Sequence, residues 1–275
     1  MNSRTGAIAA ATLVALSACG SPPGDEPAAT SPAIEPDIKI SGAGGVDQSV
    51  VRAIFSNPLR SQEARERDAR SKPEVILTLL DLEAGQRVID LLGGSGYYTD
   101  LLVAVVGPGG EVILHNNSPY HVFVEEKVQS RYIDDPIPGI TYLKADLDDL
   151  GLEPGSLDAG LMVLAYHDLY YFDPGVGFGK TDVSLFFSQL HEALKPGGKL
   201  LIVDHSAEEG TGSEAAQLLH RVDEKFAIET IENHGFKLVE SSDALRNAED
   251  DRGTIVFDAA FRGKTDRFIL LFEKN

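Results

Sequence analysis

The chain has one cysteine among 275 residues, Cys19 near its start. Everything after it is barred from internal disulfides, from cysteine-ligated zinc and from a reactive-thiol mechanism. Basic residues are scarce as well: 24 against 43 acidic ones, a net charge of −19. A surface of that sign repels phosphate backbones and weighs against a nucleic-acid partner, although plain solubility also accounts for it. The apolar stretch from Ala7 to Ala18 spans only about a dozen residues, too few to cross a bilayer comfortably. No internal repeat is visible. No H-E-x-x-H or comparable ligand spacing is present either, so no metal is expected.

What is present begins with a leader. Arg4 precedes the alanine-rich Ala7–Ala18 stretch, which has the proportions of a signal-peptide core. Leu16-Ser17-Ala18-Cys19 resembles the lipobox of bacterial lipoproteins, which implies cleavage before Cys19 and lipidation of its thiol. The following residues, "GSPPGDEPAATSPAIEPD", are too polar and proline-rich to fold alone and read as a semi-extended tether. We therefore expect a signal peptide over 1–18, a disordered tether over 19–45 and one domain over 46–275. The expected location is the bacterial envelope, lipid-anchored on the periplasmic side, or the cytoplasm if the leader is not used. The membrane contact would come through the lipid only.

The remaining roughly 230 residues suit one α/β domain. A helix is predicted from Glu63 to Leu80, with Pro73 marking a break or a new first turn. "GQRVIDLL", "GEVILHN", "TYLKAD", "LDAGLMVLAY" and "KLLIVDH" read as five strands separated by helical segments. Val183, Phe186, Phe187, Leu190 and Leu194 recur at helical spacing. A long helix is predicted from about Ser213 to Asn233. "FKLVES" and "DRFILLFEK" close the chain as two more strands. This alternation predicts a doubly wound, mostly parallel sheet with helices on both faces and ligands at the strands' carboxyl ends.

The stretch "VIDLLGGSGYYTDLL" (88–102) carries the chemistry. Glycines between a strand and a helix let a ligand approach the backbone, and the helix N-terminus offers free N–H groups. A phosphate-cradling loop would need Lys and Ser or Thr after the last glycine, but Tyr97 and Tyr98 follow. A dinucleotide fingerprint is only partly matched: Thr99 takes the last glycine position and no acid ends the second strand. Asp90-Leu91-Leu92-Gly93-Gly94-Ser95-Gly96 resembles motif I of class I S-adenosylmethionine-dependent methyltransferases, with Leu92 in place of the first glycine. "LEAGQRVIDL", Asp146-Leu147, "LDAGLMVLAYHDL" and "ALKPGGKLLIVD" follow the same family's landmarks in order, over about residues 60–275. "DLLGGSGYYT", "AYHDLYY", "HRVD" and "RGKTDRF" are similar to a group of bacterial methyltransferases that are often exported.

The resemblance implies a Rossmann-like seven-stranded sheet with an antiparallel last strand. It implies S-adenosylmethionine held by Asp90, Gly93, Gly94, Ser95, Gly96, Tyr97, Thr99, Asp146 and Leu147. Asn116 stands where the family has its ribose-binding acid. Methyl transfer is an in-line displacement, helped by alignment and, for an oxygen or nitrogen acceptor, by a base. Tyr166-His167-Asp168 follows the fourth strand, and His167 is the first candidate base. His220 and Asp223, three apart on the predicted long helix, share a face and either orient each other or form a surface ion pair. His205 is a third candidate. "YYFDPGVGFGKTD" and the segment from Ser242 to Asp266 are long enough to act as lids. The expected partner is a small-molecule acceptor. The alternatives are a non-catalytic envelope lipoprotein that keeps the fold, and a nicotinamide-dependent reductase.

Overall fold

The computed structural model describes residues 46–57 and 60–275. The leader, Cys19 and the tether lie outside the described residues. The strands are β1 (Arg87–Leu91), β2 (Glu111–Asn116), β3 (Ile140–Lys144), β4 (Leu157–Val163), β5 (Leu194–His205), β6 (Phe236–Ser242) and β7 (Arg267–Lys274). The helices are α1 (Gln48–Ser56), α2 (Gln62–Ser71), α3 (Pro73–Leu80), α4 (Tyr97–Val106), α5 (Ser118–Val128), α6 (Val183–Ala193), α7 (Glu214–Leu219) and α8 (Glu224–Glu232). Among the described residues no helix is long and apolar enough to cross a membrane.

The strands form one sheet in the order β3-β2-β1-β4-β5-β7-β6, the expected mostly parallel seven-stranded sheet with an antiparallel last strand. Strands β1 to β5 pair in parallel, and β7 inserts antiparallel between β5 and β6. Both faces are covered, so strand residues alternate between two cores rather than between core and water. Val88, Leu161, Leu201 and Val203 pack with α1, α3 and α4. Ile89, Leu91, Met162, Leu200 and Ile202 pack with Phe186, Phe187 and Leu190 of α6 and Ala227 and Ile231 of α8. This is why the strands read as nearly continuous apolar runs. Lys195–Gly198 bulge within β5: Leu157 pairs with Leu194 but Ala159 with Lys199.

Helix starts follow the side chains that can accept a first-turn N–H: Asp47, Ser61, Asn117, Asp182 and Asp223 all cap in this way. Pro73 opens α3 after a left-handed Lys72, so the predicted break between two helices is real.

The predicted 213–233 helix is corrected. His220 turns left-handed at φ 53°, ending α7, and Asp223 caps α8 by accepting from Lys225 and Phe226. Between them Val222 donates to His205 O and accepts from Ala207 N, lying alongside the end of β5. Arg221, fully buried, pairs with Asp250 at 2.8 and 3.0 Å and donates to Ser206 O and Thr254 O. A buried guanidinium needs such partners, and they are backbone and side chain that a continuous helix could not reach. His220 and Asp223 therefore do not share a helix face. The break turns His220 toward the carboxyl edge of the sheet.

Candidate functional site

Strand order reverses between β1 and β4, and the crevice above that point is where open parallel sheets hold ligands. The glycine turn leaving β1 has three different glycines. At Gly93 a Cβ would lie 2.5 Å from Asp90 Oδ2, and at Gly96 it would lie 2.0 Å from the Tyr132 hydroxyl. These two are glycine because protein atoms fill the space. Gly94, at φ +61°, has nothing within 4 Å of a Cβ position. It is the glycine a ligand can approach. Leu92, where the family pattern has glycine, is held left-handed at φ 52°, an uncommon conformation for a bulky residue that concentrates at functional sites.

Asp90 is buried beneath this turn and accepts from Thr99 Oγ1 at 2.7 Å. Burial pushes its carboxyl up to about 6, against the lowering effect of the Thr99 bonds. Asp90 and Thr99 therefore brace the turn from below and do not face the crevice, correcting their expected contact with a ligand. Tyr97 is corrected as well: its hydroxyl donates to Asp68 and its ring lies under Arg67, against α2. Ser95 also lies toward that side, lining a depression with Arg67 and Tyr97.

The end of β2 departs from expectation too. Asn116 is fully buried, accepting from Gly94 N at 2.9 Å and donating to Gly94 O at 2.8 Å. Both ends of its amide bond the turn and the side chain is fully buried, which works against its presenting a polar group to a ribose. Asn117 lines the crevice instead. His115 takes Leu92 N–H at Nδ1 and donates from Nε2 to Ala145 O, and burial holds its pKa down to about 4. It is a neutral strut between the ends of β1 and β3. Asp146 and Leu147 line a cavity of about 230 Å³ with Asn117, Asp168, Phe178 and Lys180.

A second cavity of about 560 Å³ opens beside Gly94. Its walls are Tyr120, Phe123, Val124, Tyr171, Val176, Phe178, Val256 and Phe257, and its polar end is His167, Asp168, His205 and His220. Both suspected lids take part, through Tyr171–Phe178 and through Val256–Phe257. Asp168 lines both cavities. Its Oδ2 accepts from the Tyr120 hydroxyl at 2.6 Å. His167 Nδ1 lies 2.8 Å from Oδ1 of the fully buried Asp204, and its Nε2 lies 3.4 Å from Asp168 Oδ1. His220 Nδ1 lies 3.7 Å from the same oxygen.

Burial disfavours a charged His167, but Asp204 and Asp168 outweigh it and raise its pKa to about 9. A raised pKa favours the imidazolium, which has no lone pair to offer, and so works against the expected role of His167 as a base. Burial likewise works against an ionised Asp168, but His167, His220 and Tyr120 prevail and lower its pKa. His205, bonded to Thr265, is pushed well below the usual histidine range by burial and then by the neighbouring His167.

Tyr166 is corrected outright. It is fully buried among core residues, its hydroxyl on Tyr170 and its ring near Phe187, away from the cavity. Asp204 and Tyr120 were missed, and only their positions at strand and helix ends could have flagged them.

The sheet order, the glycine turn at the β1/β4 switch point and the paired cavities define a class I S-adenosylmethionine-dependent methyltransferase fold. Residues 89–202 match the family model Methyltransf_11, described as a methyltransferase domain. A ubiquinone/menaquinone biosynthesis C-methyltransferase UbiE from Pectobacterium carotovorum is 31% identical over 125 residues, covering 44% of this chain and 43% of the relative. Its counterpart from Teredinibacter turnerae is 22% identical over 172 residues, covering 62% and 61%. The chain thus spans under two thirds of the length of these relatives. A methyltransferase structure from Aquifex aeolicus superposes with TM-score 0.54 at 20% identity, over 83% of this chain and 99% of that one. One from Mesorhizobium loti gives 0.51 at 18%, over 76% and 100%.

Proposed function

We propose that this chain transfers the methyl group of S-adenosylmethionine to an apolar, ring-bearing small molecule that carries one polar group. The observation that carries the reading is a glycine turn whose only open glycine, Gly94, stands between a crevice holding Asp146 and a larger, mostly apolar cavity. The residues fit the cofactor. Asp146 and Leu147 would hold the adenine end, Asn117 replaces Asn116 near the ribose, and the backbone at Gly94 would face the methionyl part. Bound there, S-adenosylmethionine supplies an electrophilic methyl group.

The chain's own residues orient the acceptor. Matched residues 89–202 end before His205, His220 and Val256, so the acceptor is read from the cavity itself. Aromatic and branched side chains take an apolar body. Phe123, Val176 and Phe257 at its rim stay exposed, extending an apolar mouth to the surface. The Asp168–His220 edge receives the polar group and is where an acceptor proton would leave.

One observation favours a second reading, a ligand-binding lipoprotein without catalysis: Asn116 is locked on Gly94 where a ribose-binding acid would serve. Calorimetry tests the transferase reading. S-adenosylmethionine should bind one to one, and nicotinamide dinucleotides should not; absence of S-adenosylmethionine binding rejects the transferase reading. The anchor and envelope location belong to the same proposal. Palmitate labelling should vanish in Cys19→Ser, and labelling that persists rejects the anchor.

A further inference from the structure

We infer that His167, Asp168 and His220 form a binding site for one divalent transition-metal ion, of which zinc is the first candidate. The ion site stands on geometry alone; only its role in methyl transfer rests on the function proposed above. His167 Nε2 and His220 Nδ1 approach the same carboxylate oxygen, Asp168 Oδ1, at 3.4 and 3.7 Å, and one donor atom from each residue falls within 4.8 Å of the others. These separations are longer than a good hydrogen bond. The 3.4 and 3.7 Å separations approach the edge of a tetrahedron built on metal–ligand distances of about 2.0–2.2 Å, which is roughly 3.3–3.6 Å, and the two histidine nitrogens would draw together on an ion.

The surroundings match a metal site in a second respect. A ligating histidine usually donates its other ring N–H to a carboxylate, which sets its tautomer and orientation. His167 does this: Nδ1 faces Asp204, which also accepts from the backbone N–H groups of His167 and His205. The second oxygen of Asp168 is held by Tyr120. His220 is aimed by its left-handed backbone, and the next residue, Arg221, is locked by Asp250. Each ligand is thus positioned by a partner that does not itself bind the ion.

Two histidines and one carboxylate suit borderline ions such as zinc, iron(II) or cobalt(II) better than magnesium or calcium. Three protein ligands would leave coordination positions open, and all three residues line the apolar cavity. The ion would take the place of the proton on His167 Nε2, which passes to solvent. An acceptor hydroxyl could then occupy an open position, where coordination makes its O–H proton easier to lose.

The purified full chain, stripped with chelator, should be titrated with cobalt(II) and followed by visible absorption, with zinc competition. One equivalent should bind, with the intense d–d bands of a four- or five-coordinate site. His220→Ala and Asp168→Asn should weaken binding at least about 100-fold, and Asp204→Asn about 10–100-fold through the orientation of His167. His191→Gln, remote from the cluster, should bind as the parent does. Absence of stoichiometric uptake, or unchanged affinity in His220→Ala, overturns the site. If Asp168→Asn fails to fold, the partly exposed His220 decides. S-adenosylmethionine calorimetry on the stripped chain is read separately, so failure of the ion site and failure of the cofactor reading are distinguishable.

Discussion

At the scale of the residue, two buried titratable groups on neighbouring strands respond to acid in opposite directions. His115 has its folded pKa lowered to about 4, so between about 6.5 and 4 the unfolded chain binds more protons. That contribution to stability is lost as pH falls through the window. Asp90 has its pKa raised to about 6, so the folded chain binds more protons between about 4 and 6. Its contribution is present at low pH and lost as pH rises. Each is worth about 3 kcal/mol, and they partly cancel. Denaturant melts at pH 4 and 7 should show Asp90→Asn losing more stability in acid than the parent and His115→Gln losing less; parallel shifts in both variants would contradict the assignment. Asn116→Asp makes a second test of the same turn. It replaces the N–H donated to Gly94 O by a carboxylate oxygen, and should cost about 1–3 kcal/mol at neutral pH, read as a lowered denaturation midpoint.

At the scale of the element, the instructive failure is the helix predicted over 213–233. Leu219, Val222 and Phe226 supply a helical stripe, and three-residue spacing makes His220 and Asp223 look like neighbours on one face. Tertiary demands override the pattern. Arg221 must find Asp250, Ser206 O and Thr254 O, and Asp223 is a better helix cap than a helix interior residue. Asp223 was visible as a capping residue in the sequence, whereas the partner of Arg221 was not. Arg221→Ala leaves the Asp250 carboxylate buried and unpaired, and should cost about 3–5 kcal/mol. Hydrogen exchange should then localise the loosening to 243–266 and the α7–α8 junction; protection unchanged in those segments would show that the pair does not hold the lid.

At the scale of the whole molecule, a net charge of −19 acts on every group at once. Self-repulsion is screened by salt, with a Debye length of about 30 Å at 0.01 M and 8 Å at 0.15 M. Thermal melts should therefore move upward over that range of sodium chloride; a downward shift would mean that the surface ion pairs outweigh the repulsion. The apolar mouth with its exposed Phe123 and Phe257 should bind a hydrophobic fluorescent probe in the folded state; no rise in the probe's fluorescence would show that the mouth does not take apolar ligands.

The sheet and much of its wrapping were legible in the linear chain. Continuous apolar runs, glycine stops and caps are local or nearly local signals, and strand ends indicate which stretches come near the cavities, as Asp146, Leu147, Gly94, His167 and Asp168 do. Tertiary structure alone decided which way those side chains turn. Asp90 and Thr99 face each other beneath the turn, Asn116 closes on Gly94, and Tyr166 points into the core. The convergence of His220 on Asp168, fifty-two positions earlier in the chain, depends on a buried arginine and a carboxylate from a distant loop. No linear spacing encodes such a meeting, because it is set by where packed elements bring their ends together.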